Sequence, residues 1–260
     1  MDKFTPFSLL VATFWLAVAV PPLAAQEKNM SPKPHIQGLN AQQKKEVEQV
    51  IGGYLRQNPE IIAEAIRILQ DRERSAKQNR VLHNLVANKD RLLNDPTSPI
   101  GGNPKGDITV VEFFDYNCGF CKKMFPAVQK LLKDDKNIRY VFKEFPILSP
   151  SSETAARVAL VAWKYEKEKY FDFHRRLIEA KGSLSNGRIF SLAAKSRLDV
   201  ARLKKQMGAP DIAGMINVNR ELAEKLDIRG TPGFVIGNQI IPGAIDLATL
   251  KQLIKEAREG

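Results

Sequence analysis

Cys118 and Cys121 are the only 2 cysteines in the 260 residues, and they stand close together in Asn117-Cys118-Gly119-Phe120-Cys121-Lys122. Thiols so placed could close a structural bridge, share a metal ion or exchange disulfides. A bridge across so short a loop would restrain the unfolded chain very little, because the entropy removed grows with the loop enclosed. Zinc takes about four ligands, and the histidines His35, His83 and His174 lie far from the pair with no ligand spacing. Copper(I) accepts two soft thiolates, so a copper(I)-binding factor using the same pair is the rival reading; Met124 and Met207 add little to it. Thiol-disulfide exchange is the chemistry that the pattern favours.

Exchange needs one reactive thiolate and one thiol held back, and the flanking sequence supplies both positions. The run Ile108-Thr109-Val110-Val111-Glu112-Phe113-Phe114 is β-branched and aromatic, the composition of a buried strand. Cys121, Met124, Phe125, Val128, Leu131 and Leu132 then recur at helical spacing, predicting a helix from Cys118 to Lys133. Cys118 falls at the helix N-terminus, where amide groups and the macrodipole stabilise a thiolate, and is the nucleophile. Cys121, one turn inside, is the more buried thiol that resolves a mixed disulfide formed on Cys118. Glu112 lies in the strand before the pair, and a carboxyl buried there is costly unless paired or functional. It either assists proton transfer, with Lys143 on the neighbouring strand as a candidate partner, or faces outward on the other side of the pleat. Asp115 and Tyr116 shape the loop. Far downstream, Arg229-Gly230-Thr231-Pro232-Gly233-Phe234 puts a proline before a short apolar strand. It is either an ordinary loop proline or a cis Thr231-Pro232 bond beside the sulfurs, offering backbone groups to an extended substrate.

The segment Phe113-Phe114-Asp115-Tyr116-Asn117-Cys118-Gly119-Phe120-Cys121, the segment Lys143-Glu144-Phe145-Pro146-Ile147-Leu148, the helical insertion and Gly230-Thr231-Pro232 together resemble the DsbA family over roughly residues 97–258. The resemblance implies an α/β thioredoxin fold with an inserted helical domain, in the periplasm of a Gram-negative bacterium. It implies that Cys118 is the exposed nucleophile, that Pro232 is cis, and that Glu112 occupies the place where thioredoxin-like proteins carry a buried acid. Expected partners are exported proteins with cysteines and a membrane redox partner; no cofactor or metal is expected. Gly-Phe between the cysteines and threonine before the proline depart from the best-known monomeric oxidases. Threonine there resembles the disulfide isomerases, so isomerisation stands beside oxidation.

Around this centre the chain divides into four parts. Residues 1–25 read as a signal peptide, with Lys3, a short apolar run from Phe7 to Val20 and small residues ending at Ala25. That run is shorter than the ~20 residues a membrane span requires. Residues 26–39, with Pro32 and Pro34, form a disordered lead-in. Residues 40–96 are an N-terminal helical region: Asn40 with Gln43 fits a capping box, followed by Val47, Val50, Ile51, Tyr54 and Leu55. Asn58-Pro59 restarts the pattern as a cap and first helical position before Ile62, Ile66 and Leu69, and Asp71–Arg80 is a solvated helix or a hinge. Residues 40–70 are too short to own a core, so their apolar face packs either on the catalytic domain or, the favoured reading because the polar stretch Asp71–Arg80 separates it from the rest, on another copy of itself in a dimer or trimer.

Residues 97–260 form the catalytic domain. Pro99–Asp107 reads as turns, and Ile138–Phe145 as a strand parallel to the first. A helical insertion occupies about 150–228, with Ser152, Asp199 and Asp211 as caps. A hairpin turns at Gly237-Asn238, with Pro242 at an edge, and Asp246 caps a last helix. The formal charge is +11, with 43% apolar and 27% charged residues. This is an ordinary globular composition. Basic residues alternate with acids, as in Lys164-Tyr165-Glu166-Lys167-Glu168-Lys169, which marks solvated helix faces and argues against a nucleic-acid partner.

Overall fold

Asn40 opens the first helix as its spacing predicts, in a computed structural model that describes residues 38–259. The expected signal peptide and nearly all of the lead-in lie outside the described residues. Asn40 Oδ1 accepts the Gln43 N–H at 2.9 Å, and Gln43 Oε1 accepts the Asn40 N–H at 3.0 Å. The helix α1 (Ala41–Gln57) follows and buries none of its residues. Asn58 does not start the next helix. Its backbone N–H and its Nδ2 both donate to the Tyr54 carbonyl, closing α1 instead. The helix α2 (Glu60–Ala87) runs unbroken through Asp71–Arg80, so that stretch is helix and not hinge. Its Arg, Glu, Ala, Lys and Gln residues favour helix, and it holds no glycine or proline. A short α3 (Lys89–Leu93) ends the helical lead. Among the described residues, those up to Glu64 belong to one unit and those from Ala65 onward to a second.

The second unit is built on a sheet of β1 (Ile100–Gly102), β2 (Ile108–Phe114), β3 (Ile138–Glu144), β4 (Gly233–Ile236) and β5 (Gln239–Pro242) in the order β1-β3-β2-β4-β5. β2 and β3 are parallel, joined by a crossover through α4 (Gly119–Asp134), and the other pairings are antiparallel. β1 stands where the sequence predicts turns. Its Gly102 has φ +67°, and a Cβ there would come within 2.4 Å of the Ile138 carbonyl, so the turn-like composition serves a close approach of strands.

Alternation along β2 divides the core. Val110 and Phe114 pack with Met124, Phe125, Val128 and Leu131 of α4 and with Leu250 and Ile254 of α10 (Leu247–Glu259). Val111 and Phe113, with Val141 and Phe145, meet Leu85, Leu92, Leu222 and Leu226 on the opposite side.

Between β3 and β4 lie α5 (Pro150–Tyr165), α6 (Tyr170–Ile178), α7 (Asn186–Lys195), α8 (Val200–Gln206) and α9 (Pro210–Lys225). α5 is the centre of this insertion, with Ala155, Val158, Ala159 and Ala162 fully buried. Two caps differ from expectation. Ser149 caps α5, because Pro150 takes the first turn, and Ser152 donates its N–H to Ser149 Oγ from inside the helix. Asp211 lies within the first turn of α9, behind Pro210. Asp199 does cap α8, and Asp246 accepts the Thr249 N–H at 2.7 Å ahead of α10. The β4–β5 hairpin turns at Gly237, where φ is +57°. The result is a thioredoxin-like α/β fold carrying a helical insertion. No helix among the described residues is long and apolar enough to cross a membrane.

Candidate active site

β2 delivers the chain into a loop fixed by Asp115. The Asp115 carbonyl accepts the Cys118 N–H at 3.0 Å. Its Oδ1 accepts the Asn117 N–H, and its Oδ2 accepts the N–H groups of Ile147 and Leu148. Cys118 is thereby set as the N-cap of α4, its Sγ accepting the Cys121 N–H at 3.4 Å. From the other side the Thr231 carbonyl lies 3.1 Å from the same sulfur and accepts its thiol hydrogen. The Thr231-Pro232 bond is cis, and Thr231 Oγ1 is buried without a partner. Both cysteines are free thiols. The fold thus gathers Cys118, Cys121, Thr231 and Pro232 at one point. One expectation is corrected: Cys118 is only 5% exposed, against 2% for Cys121, because the Thr231 loop lies over the sulfur.

The two thiols are electrostatically unlike. Hydrogen bonding from Cys121, aided by the amides of Cys121 and Phe120, outweighs burial and holds Cys118 down at about 5. The same Cys118–Cys121 hydrogen bond, then burial and the Glu112 charge, push the Cys121 thiol far above the usual range.

Glu112 shares the α4 side of the sheet with Val110 and Phe114 and is buried, so the outward-facing alternative is overturned. Burial raises its carboxyl to about 7, opposed by the hydrogen bond that Tyr140 donates at 2.7 Å and reinforced by the Cys118 charge. Lys143 is not its partner. The parallel register sets Lys143 opposite Phe113, whose side chain belongs to the other face. There Lys143 is fully buried, donating to Asp95 Oδ2 at 2.8 Å and to the Arg91 carbonyl at 3.0 Å. Burial alone would raise Asp95, but the Lys143 charge and hydrogen bonds bring it to about 2.

Sequence reasoning missed two groups. Asn117 and Lys122, on either side of the pair, hydrogen-bond to the insertion; a polar side chain directly before the nucleophile was the available signal. Tyr116 hydrogen-bonds to Glu144 Oε1 at 3.0 Å and to His174 Nδ1 at 2.9 Å, all three buried. Burial raises Glu144 well above the carboxylate range and lowers His174 to about 3. Nothing in the spacing of these three announces their meeting. Among the described residues no group of three or more metal-ligating side chains converges.

Residues 109–255 match the DSBA-like thioredoxin domain. The chain belongs to the DsbA-like thioredoxin family. A second family model, described as the copper resistance protein ScsC N-terminal domain, matches residues 43–76 of this DsbA-like protein. Disulfide bond formation protein D of Bacillus subtilis (strain 168) is 26% identical over 172 residues, which is 62% of this chain and 78% of that protein. Among solved structures, a thioredoxin-like oxidoreductase from Silicibacter pomeroyi DSS-3 is 40% identical, with a TM-score of 0.64 over 66% of this chain and 99% of its own. The catalytic domain of Proteus mirabilis ScsC is 31% identical, with a TM-score of 0.64 over 69% of this chain and 99% of its own. In a DsbA-like protein, a cool-headed division of labour between one thiolate and one protonated thiol is what thiol-disulfide exchange requires.

Proposed function

We propose that this protein is an exported, periplasmic thiol-disulfide oxidoreductase that forms, isomerises or does both to disulfides of exported proteins through Cys118 and Cys121. The observation that carries the reading is geometric: Cys118 caps α4, its Sγ accepting the Cys121 N–H at 3.4 Å and lying 3.1 Å from the Thr231 carbonyl ahead of the cis Thr231-Pro232 bond, and the shifts of the two thiols in opposite directions agree with it. In oxidation, a substrate thiolate attacks Cys118 of the disulfide form, and the electron pair of the broken S–S bond leaves on Cys121, which is then protonated, with Glu112 as donor. A second substrate thiolate displaces Cys118, so the substrate loses two electrons and the pair keeps them until a membrane redox partner takes them. In isomerisation, the Cys118 thiolate attacks a substrate disulfide directly. If substrate thiols do not rearrange first, Cys121 gives its proton to Glu112 and resolves the mixed disulfide. Thr231 and Pro232 line the sulfur, and the backbone of Thr231 is the edge offered to an extended substrate, since Pro232 has no N–H and its carbonyl already accepts the Gly243 N–H at 2.8 Å.

The exposed apolar residues Val50, Ile51 and Tyr54 of α1 and Ile62, Ile66 and Leu69 of α2 support a homo-oligomer built on the N-terminal helices. The match to a family described as copper resistance protein ScsC N-terminal domain keeps copper(I) binding by the same thiols as a second reading. Cys118→Ser should abolish exchange, whereas Cys121→Ser should accumulate mixed disulfides on Cys118, read by mass spectrometry; substrate linked to Cys121 inverts the assignment. Stoichiometric copper after reductive purification, with no turnover of scrambled ribonuclease, would establish the second reading in place of the first.

A further inference from the structure

We infer that Asn117 is the positioning residue that locks the turn of the Cys118 nucleophile to the helical insertion, so that the loop between α6 and α7 helps set the reactivity of the thiol. The inference rests on the exchange chemistry proposed above. Asn117 stands directly before Cys118, and both ends of its side-chain amide are committed to the insertion. Oδ1 accepts the Leu184 N–H at 2.9 Å, in the loop that joins α6 to α7. Nδ2 lies 3.1 Å from Ser149 Oγ and 3.0 Å from both Ser151 Oγ and Ser152 Oγ at the start of α5. A side-chain amide has only two N–H donors, so the three hydroxyls share them. Their mutual contacts, 3.1 Å and 3.0 Å from Ser149 Oγ, hold the cluster together.

A second strap reaches the same loop from beyond Cys121. Lys122 donates to the carbonyls of Ala180 and Gly182, the latter at 3.1 Å. The cysteine pair is therefore bracketed, with one residue on each side bound to loop 180–184. The strap matters because the direction of the Cys121 N–H toward Cys118 Sγ depends on the backbone of residues 117 and 118 staying in place. The Lys122 ammonium and the Cys118 charge also favour one another. Moving the loop would thus loosen the amide contact to the sulfur and shift the ammonium that faces it. Asp115 anchors this turn within the catalytic domain, by contacts to Asn117, Ile147 and Leu148, whereas Asn117 alone ties it to both α5 and the α6–α7 loop.

The test is Asn117→Ala in the full reduced protein, titrated by the ultraviolet absorbance of the thiolate, with hydrogen exchange at the Leu184 amide and thermal unfolding recorded alongside. The expected result is an upward shift of the Cys118 titration by about one unit, the equivalent of one lost hydrogen bond, with faster exchange at Leu184. The disulfide should become a weaker oxidant against glutathione by about tenfold, because the reduced thiolate is less favoured. A lower unfolding temperature with an unmoved titration would show a merely structural residue and overturn the inference. Should Asn117→Ala fail to fold, Ser151→Ala combined with Ser152→Ala removes two partners of Nδ2, and a smaller shift of the same sign is expected; none would overturn it. Wild-type oxidation of a dithiol peptide tests the exchange chemistry separately, since the titration reads Cys118 whether or not the protein turns over.

Discussion

Replacing Glu112 by glutamine keeps the shape of the side chain and its contact with Tyr140 while removing an ionisable group from beside the dithiol. Burial holds this carboxyl at about 7 against an ordinary 4.5. Between those values the folded protein retains a proton that the unfolded chain has released, so stability falls as pH rises through the window. Each unit corresponds to about 1.4 kcal/mol. The shift therefore costs the reduced wild type on the order of 3 kcal/mol above neutrality and almost nothing in acid. Urea unfolding under reductant, in acid near pH 4 and in base near pH 8, should show Glu112→Gln gaining about that much on the wild type between the two conditions. Titrating groups that do not interact with Glu112 cancel in the difference; Cys118 and Cys121, which do, remain in it. Because the Cys118 charge supplies part of the rise, the same comparison in a Cys118→Ser background should give a smaller gain. Parallel unfolding curves would refute the claim that Glu112 ionises where it lies. The variant should also resolve mixed disulfides more slowly, on the order of 10²-fold, if the proposed transfer of the Cys121 proton to Glu112 holds.

Tyr54→Glu combined with Ile62→Glu should leave a monomer in light scattering that still oxidises dithiol peptides but has lost most scrambled-ribonuclease activity, since a second site nearby raises effective concentration during repeated exchange. A wild type that is already monomeric refutes the assembly. Lys143→Met should destabilise the fold by about 3–5 kcal/mol in urea, because it strands the Asp95 charge. Adding Asp95→Asn should recover much of that loss, and failure to do so would mean that packing and not charge is at stake. The depressed pKa of Asp95, about 2 against 3.8, gives the opposite pH signature to Glu112: stability present above about 4 and lost as pH falls toward about 2, measurable by acid unfolding of the wild type.

The cysteine pair, the strand before it, the helix after it and the proline loop were legible because each is a local pattern. A thiol at a helix N-terminus, a β-branched run and a proline before an apolar strand need no knowledge of the rest of the chain. The partner of Glu112 was not legible. Alternation says that Glu112 and Phe113 face opposite ways, but only the register of β3 against β2 decides which of them Lys143 accompanies. β1 was hidden because three residues show no period and its glycines read as turns. Ser149 was passed over for Ser152 because several serines around Pro150 satisfy the same capping rule, and packing of α5 selects among them. The exposure expected of Cys118 failed for a long-range reason: the residue that covers it is Thr231, far away in sequence.

The placement of Lys143 has an electrical consequence. Glu112 and Lys143 are both buried in one small sheet, on adjacent parallel strands, yet the sheet insulates them because they project from opposite faces. Were β3 displaced by one residue, the ammonium would come round to the side of the carboxyl. An attraction at that range would clamp Glu112 in its ionised form far below neutrality. A carboxylate so clamped could accept no proton from Cys121 and return none, and its charge would bear permanently on both sulfurs. The strand register thus works as wiring: it earths the lysine to Asp95 on one side and leaves the acid on the other free to switch near pH 7.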